Sequence, residues 1–155
     1  MAAAVPAGAG RIQRIMLAAD DSPGSARALE QLLTLRANLR VPEDLELHVI
    51  NVQRPVAGDV ASFVTSTNLS GYHREKADKA LRAAREALKA AGLAFREHLH
   101  VGDPGPVISN VAASEGCDMI VMGSRGLGSH TAGLVGSVAA STLEHSRVPV
   151  LLVRA

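Results

Sequence analysis

The strongest constraint on the fold is a regular alternation of strand-like and helix-like segments along the chain. Short aliphatic runs alternate with segments whose hydrophobic residues recur at helical spacing. Strands are predicted at 12–19, 45–52, 94–101, 118–122 and 148–153, and helices at 26–40, 71–91, 104–115 and 136–146. Because parallel neighbours need crossover connections, this order predicts an α/β fold, a single-domain open sheet of five mostly parallel strands with helices on both faces.

A glycine-rich run follows the fourth predicted strand. Residues 123–137 read GSRGLGSHTAGLVGS, with Gly123, Gly126, Gly136 and a hydroxyl at Ser137. Glycine tolerates positive φ and lets a ligand approach the main chain, so a strand that leads through such a loop into a helix can turn N–H groups toward an anion. The run predicts a phosphate-binding loop.

The carboxyl ends of the predicted strands are expected to converge on one crevice, where open α/β sheets bind their ligands. The residues that we expect to converge there are Ala18, Ala19, Asp20 and Asp21 at the end of the first strand, His48, Val49, Ile50 and Asn51 at the end of the second, and Met122, Gly123, Ser124 and Arg125 at the end of the fourth. An adenine or similar ring is expected to lie against Ala18, Val49 and Met122. Phosphates are expected at the glycine-rich loop, with Ser124 and Ser137.

Two aspartates follow the first strand. We expect Asp21 to cap the first helix, because Asp is a strongly preferred N-cap residue. For Asp20 we favour a role in the site, as an acceptor for ribose hydroxyls or a ring amine, or as a ligand of Mg²⁺. The segment that begins at Gln53 and ends at Ser70 is long for a plain connection, and we expect a lid or a short helix there.

Other nucleotide motifs and a catalytic centre are poorly represented. A Walker A loop needs Gly-Lys-Ser/Thr, and a dinucleotide GxGxxG would need glycine where the chain has Thr131. Catalysis would need a positioned nucleophile or base, and the candidates are His130, Arg125 and the aspartate pair. A histidine within a loop is more commonly solvated than catalytic, so we expect the site to bind its ligand rather than to turn it over. His98 and His100 share a face of the third strand, but without a third ligand nearby in the sequence they make a weak metal site.

Composition excludes several partner classes. The chain has 155 residues and a formal net charge of +1, which favours one domain over 11–155 after a flexible tail, 1–10. The lysines Lys76, Lys79 and Lys89 fall in one helix, and three aromatic residues give no stacking platform, so nucleic acid is not expected.

The start has neither signal-peptide nor membrane-span character, and a lone Cys117 indicates a buried thiol in a reducing compartment. We predict a cytoplasmic protein.

The spacing Gly123-x2-Gly126-x9-Gly136-Ser137 resembles the ATP-binding pattern of the universal stress protein family. The resemblance spans nearly the whole chain: residues 14–22 (RIMLAADDS) and 47–50 (LHVI) are similar to the family's first two strands, and 101–104 (VGDP) and 118–126 (DMIVMGSRG) to its third and fourth. Asp21 stands where many members have glycine. The resemblance implies a Rossmann-like fold of the adenine nucleotide alpha-hydrolase kind and a nucleotide-dependent stress-response regulator.

The resemblance also implies a set of nucleotide contacts. They run from Ala18, Ala19 and Asp20 to adenosine, from Val49 to adenine, from Met122, Gly123, Arg125 and Gly126 to ribose and phosphates, and from Gly136, Ser137 and Val138 to phosphates. The implied ligand is ATP, with AMP or ADP as alternatives and with Mg²⁺ as a further component. A slow ATP hydrolase is an alternative reading of the same site.

Members similar to this chain form homodimers, often through the last strand, which here begins at Val148 and ends at Val153. An exposed apolar edge strand is itself a template for pairing, and Pro149 is the only residue in it that blunts the edge.

A rival class is a phosphoacceptor receiver domain, which Asp20, Asp21, Asp103 and Ser124 would fit. That class places a lysine after the final strand, and this chain has none after Lys89.

Overall fold

The computed structural model describes residues 10–56, 71–126 and 135–155. Strands and helices alternate in the predicted order: β1 Arg14–Ala18, α1 Pro23–Ala37, β2 Glu46–Gln53, α2 Gly71–Ala90, β3 Arg96–Val101, α3 Pro104–Ser114, β4 Met119–Gly123, α4 Ser137–His145 and β5 Val150–Val153, with a short 3-10 helix, Pro42–Asp44, before β2. Residues 1–9 of the predicted tail, residues 57–70 of the proposed lid, and His130 lie outside the described residues.

Element ends differ from the prediction where proline sets them. Helix α1 begins at Pro23 rather than at 26, since proline is favoured in the first helical turn, where its missing N–H costs nothing. Strand β5 begins at Val150, directly after Pro149, so its predicted start at Val148 is wrong. Gly92 and Gly116, predicted to end α2 and α3, have φ of +70° and +67°, the left-handed conformation in which helices commonly terminate.

The five strands form one sheet in the order β3-β2-β1-β4-β5, and every neighbouring pair is parallel. The predicted open parallel sheet is confirmed. From β1 the chain first adds strands on one side of the sheet and then, at β4, on the other. The crossovers that leave β1 and β4 therefore diverge, and this opens a crevice at the carboxyl ends of these central strands.

Each face of the sheet carries its own apolar core. On one face Leu17, Leu47 and Val49 pack with residues of α1 and α2. On the other face Met16, Ile50, Ile120 and Met122 pack with residues of α3 and α4, and with Cys117. The cysteine is buried as predicted, and burial raises the pKa of its thiol to about 11. Both faces are covered because apolar side chains alternate between them along each strand.

Within the described ranges, no helix combines the length and the apolar character that crossing a bilayer requires.

Candidate functional site

A cavity of about 410 Å³ lies at the carboxyl edge of the sheet, a size typical of small-ligand sites. Ten of the twelve residues predicted for the site line it: Ala18, Ala19, Asp20, Met122, Gly123, Arg125, Gly126, Gly136, Ser137 and Val138. Of the other residues expected at the strand ends, Ile50 and Asn51 line the cavity, whereas Asp21 and His48 do not. Further lining residues that were not predicted are Ser22, Ser25, Val52, Pro104, Ile108 and Ala139. The structure therefore brings the glycine-rich loop and the end of β1 together around one space.

Two of the twelve residues predicted to bind the ligand, Val49 and Ser124, do not line the cavity. The side chain of Val49 is 2% exposed and packs in the core under α1 and α2, on the opposite face of the sheet from the cavity. Successive strand residues point to opposite faces, so its neighbour Ile50 takes the predicted place in the lining. Ser124 is also buried; its N–H donates to the carbonyl of Val153 at 2.8 Å, which ties the loop to β5.

A network of short-range hydrogen bonds sets the turn after β1. The carboxylate oxygen Oδ1 of Asp20 accepts from the Ser22 N–H at 2.9 Å, and Ser22 Oγ accepts from the Ser25 N–H at 3.1 Å. In return, Ser25 Oγ accepts from the Asp20 N–H at 3.0 Å. Ser22 is thus the N-cap of α1, and the prediction that Asp21 caps this helix is wrong. A hydroxyl closer to the helix satisfies the N–H that Asp21 was expected to satisfy.

Gly123 and Gly126 allow close contacts with neighbouring segments and do not adopt positive φ angles. Among the residues described, positive φ occurs at Gly10, Gly92 and Gly116, so the expectation of positive φ at the glycines of the phosphate loop is not met there. Instead, a β-carbon on Gly123 would lie 2.7 Å from the carbonyl carbon of Gly24. The absence of side chains lets the start of α1 rest directly on the end of β4.

Gly126 brings the loop to Asp20. A β-carbon on Gly126 would lie 2.9 Å from Asp20 Oδ2, the carboxylate oxygen other than the one that holds the turn. Gly136 closes the loop on its other side, because its N–H donates to the carbonyl of Ser124 at 2.6 Å. The carboxylate and the glycine backbone therefore border the same part of the cavity.

The N-terminal ends of three helices border the cavity. Ser137 and Val138 of α4, Pro104 of α3 and Ser25 of α1 all lie in the first turn of their helices and line the cavity. The Ser25 N–H is already bonded to Ser22 Oγ and Pro104 has no N–H, so the first-turn donors offered to a ligand are those of α4, whose N-cap makes no side-chain hydrogen bond. The helix dipoles add positive potential at all three ends. With Arg125 also among the lining residues, the arrangement favours a bound anion.

Asn51 holds the end of β1 from the neighbouring strand. Its buried side chain donates from Nδ2 to the carbonyl of Ala19 at 2.8 Å, and its Oδ1 accepts from Gln53 Nε2 at 2.6 Å. A carbonyl beyond the last strand residue would otherwise be left without a ladder partner. The position of Asn51 at the carboxyl end of the predicted second strand indicated this edge from the sequence, but its bond to Ala19 was not predicted.

The residues of the receiver-domain alternative do not come together. Asp103 does not line the cavity; its carboxylate is 66% exposed and lies 3.8 Å from the Arg54 guanidinium. The Ser124 side chain is buried outside the lining. Of the four residues that fitted that class, only Asp20 lines the cavity.

An open parallel sheet with helices on both faces and a glycine-lined cavity at its carboxyl edge is the doubly wound α/β architecture. Comparison with known proteins gives the family. The sequence profile described as the universal stress protein family matches residues 11–154. The chain belongs to the universal stress protein family, and the resemblance found in its motifs is confirmed.

Individual relatives support the family and the fold. Universal stress protein MJ0577 from Methanocaldococcus jannaschii is 26% identical over 154 residues, covering 92% of this chain and 94% of the relative. Its solved structure superposes with a TM-score of 0.75 at 25% identity, covering 93% of this chain and 96% of that chain.

Two more distant solved structures share the fold. A universal stress protein in complex with cAMP has a TM-score of 0.66 at 24% identity, covering 91% of this chain and 96% of that chain. A universal stress protein family protein from Arabidopsis thaliana with AMP bound has a TM-score of 0.58 at 19% identity, covering 92% of this chain and 91% of that chain.

Proposed function

We propose that this protein binds an adenine nucleotide, with ATP as the first candidate and ADP or AMP as alternatives, and acts as a nucleotide-dependent stress-response regulator. The observation that carries the proposal is the single cavity in which an apolar wall, a carboxylate and several helix N-termini occur together. Two proteins of the same fold have been solved with cAMP and with AMP, which supports the ligand class.

The residues present fit such a ligand. Ile50, Val52 and Met122 would give an apolar wall for the base, and Asp20 Oδ2, which lies beside Gly126, would accept from a ribose hydroxyl. Gly126, Ser137 and Arg125 would hold the phosphates through backbone N–H groups and a guanidinium. Mg²⁺ is commonly held by one or two carboxylates together with phosphate oxygens, and Asp20 would supply the carboxylate.

Asp20→Asn tests the site without breaking the turn, because Asn keeps an acceptor for the Ser22 N–H. Loss of a charged hydrogen-bond acceptor costs about 1.5–3 kcal/mol, so we expect ATP affinity to fall by about 10- to 100-fold in calorimetric titration. Tripolyphosphate affinity should fall less. Asp103→Asn is the matched control, since Asp103 is exposed and does not line the cavity.

The outcomes separate the readings. Wild-type protein that shows no saturable ATP binding would refute the proposed function. An Asp20→Asn variant that binds ATP as tightly as the wild type would refute the role of Asp20 alone. Release of phosphate from ATP over minutes would instead support the slow-hydrolase alternative.

We further propose a homodimer through β5, in the cytoplasm. Strand β5 is at the edge of the sheet and pairs with β4 on one side. The carbonyls of Pro149 and Val153 accept from the N–H groups of Ile120 in β4 and of Ser124, which follows β4. Backbone groups of successive strand residues point to opposite sides, so the N–H groups of Val150 and Leu152 face away from the sheet.

Hydrogen exchange tests this dimer without a substitution. In a dimer the Val150 and Leu152 amides should exchange slowly, and faster on dilution, whereas the inward amides of Leu151 and Val153 stay protected throughout. Fast exchange at Val150 and Leu152 at every concentration would contradict pairing through this strand. Fractionation of the producing cells tests the compartment.

A further inference from the structure

Two histidines and a glutamate meet near the amino ends of β2 and β3, at the opposite end of the sheet from the cavity. His48 Nδ1 and His98 Nε2 are 2.8 Å apart. The ring planes differ by 7° and the ring centroids are 5.1 Å apart, so the two rings lie edge to edge with nitrogen facing nitrogen. Glu115, directly after α3, brings its carboxylate so close that one ligand atom from each residue lies within 4.8 Å of the other two.

The surroundings fix the chemical state of His48. Its Nε2 lies 3.1 Å from Glu46 Oε1, and Glu46 is itself held by the Arg14 guanidinium at 3.0 Å. An ionised carboxylate only accepts hydrogen bonds, so His48 carries its hydrogen on Nε2 and presents a lone pair at Nδ1. This is the arrangement in which a carboxylate orients a metal-binding histidine through its other nitrogen.

We propose that His48, His98 and Glu115 form a binding site for a divalent transition-metal ion of the Zn²⁺ type. Two imidazole nitrogens and one carboxylate oxygen suit Zn²⁺, whereas Mg²⁺ and Ca²⁺ prefer oxygen ligands alone. From the sequence, His98 and His100 were predicted to form only a weak metal site, because no third ligand lies nearby in the sequence. The fold supplies two partners from β2 and the end of α3, and His100 is not one of the three.

Binding an ion needs a defined adjustment of the two rings. With metal–nitrogen bonds of about 2.0–2.1 Å in a tetrahedral site, the two ring nitrogens have to separate by about 0.5 Å, and each ring has to turn so that its nitrogen points at the ion instead of at the other ring. His98 has to carry its hydrogen on Nδ1 instead of Nε2, a tautomer change that exchanges one proton with solvent and leaves the net proton count unchanged. His98 and Glu115 are only partly buried, so an ion can enter, and water completes the fourth position.

The test is titration of the full-length, chelator-treated protein with Zn²⁺ alone and with Co²⁺ as a spectroscopic probe. We expect one ion per chain and the intense visible absorption of four-coordinate Co²⁺. His98→Gln and Glu115→Gln should each weaken Zn²⁺ binding by about 100-fold or more. Glu46→Gln should weaken it by about 10- to 100-fold, as loss of an orienting partner does.

His100→Gln is the matched control, a histidine two residues along the same strand, and it should bind Zn²⁺ as the wild type does. To exclude loss of folding as the cause, the ¹⁵N resonance of His48 Nδ1 in the wild-type protein should shift on addition of one equivalent of Zn²⁺. An unmoved resonance, binding that persists in His98→Gln, or an equal loss in His100→Gln would each overturn the site. ATP titration is independent of these outcomes, because none of the three ligands lines the cavity.

Discussion

Replacing Gly123 by alanine tests whether direct contact between two backbone segments builds the site. The new β-carbon would lie 2.7 Å from the Gly24 carbonyl carbon and 2.9 Å from its oxygen. These are main-chain atoms at the start of α1, so the helix or β4 has to shift. Overpacking of this kind costs about 1–3 kcal/mol. Since 1 kcal/mol corresponds to about 2–4 °C for a domain of this size, we expect Tm to fall by about 2–12 °C.

Gly126→Ala is the matched comparison in the same loop. Its β-carbon would meet Asp20 Oδ2 at 2.9 Å, a side-chain atom that can rotate away at little cost to stability. We therefore expect a Tm near that of the wild type together with weaker ATP binding, because Asp20 is displaced. Thermal unfolding followed by circular dichroism and calorimetric ATP titration measure the two effects. A Gly123→Ala variant as stable as the wild type would refute the contact argument, as would equal destabilisation by Gly126→Ala.

Three further substitutions have defined expectations. Asn51→Ala leaves a buried carbonyl without its donor and should cost about 1–3 kcal/mol in urea unfolding; an unchanged midpoint would contradict the bond to Ala19. Ser22→Ala removes the cap of α1 and should cost about 0.5–2 kcal/mol, whereas Asp21→Ala should cost almost nothing; equal losses would restore Asp21 as the cap. Arg85→Ala breaks ion pairs with two carboxylates and should cost about 1 kcal/mol or less. That loss should shrink when unfolding is repeated in about 1 M salt, and a salt-independent loss would show that packing is responsible.

Most of the site could be predicted because its parts are local in sequence. The loop from Met122 to Gly126, the start of α4 and the end of β1 each carry their chemistry within a few residues, and the carboxyl ends of parallel strands meet at one edge of a sheet. Val49 was misplaced for a physical reason. Val49 and its neighbour Ile50 are both apolar and both buried against helices, so residue type does not indicate which of the two points toward the ligand.

The Asp21 prediction failed because capping preference is shared by Asp and Ser. Both residues precede the helix, and only the actual backbone angles show which side chain reaches the first N–H groups. Ser22 has extended backbone angles and its side-chain oxygen accepts from the Ser25 N–H, so Ser22 rather than Asp21 caps the helix. The histidine pair was beyond sequence reasoning as well, since His48 and His98 are fifty residues apart along the chain.

By itself, the sequence determined the order of strands and helices, the helix ends at Gly92 and Gly116, and the position of the glycine-rich loop after an apolar strand. These features follow from the conformational preferences and spacing of neighbouring residues. Only the tertiary structure decided the strand order in the sheet, the face on which each strand residue lies, and the contact of Gly123 with Gly24. Those depend on packing between segments distant in the chain, which no local pattern encodes.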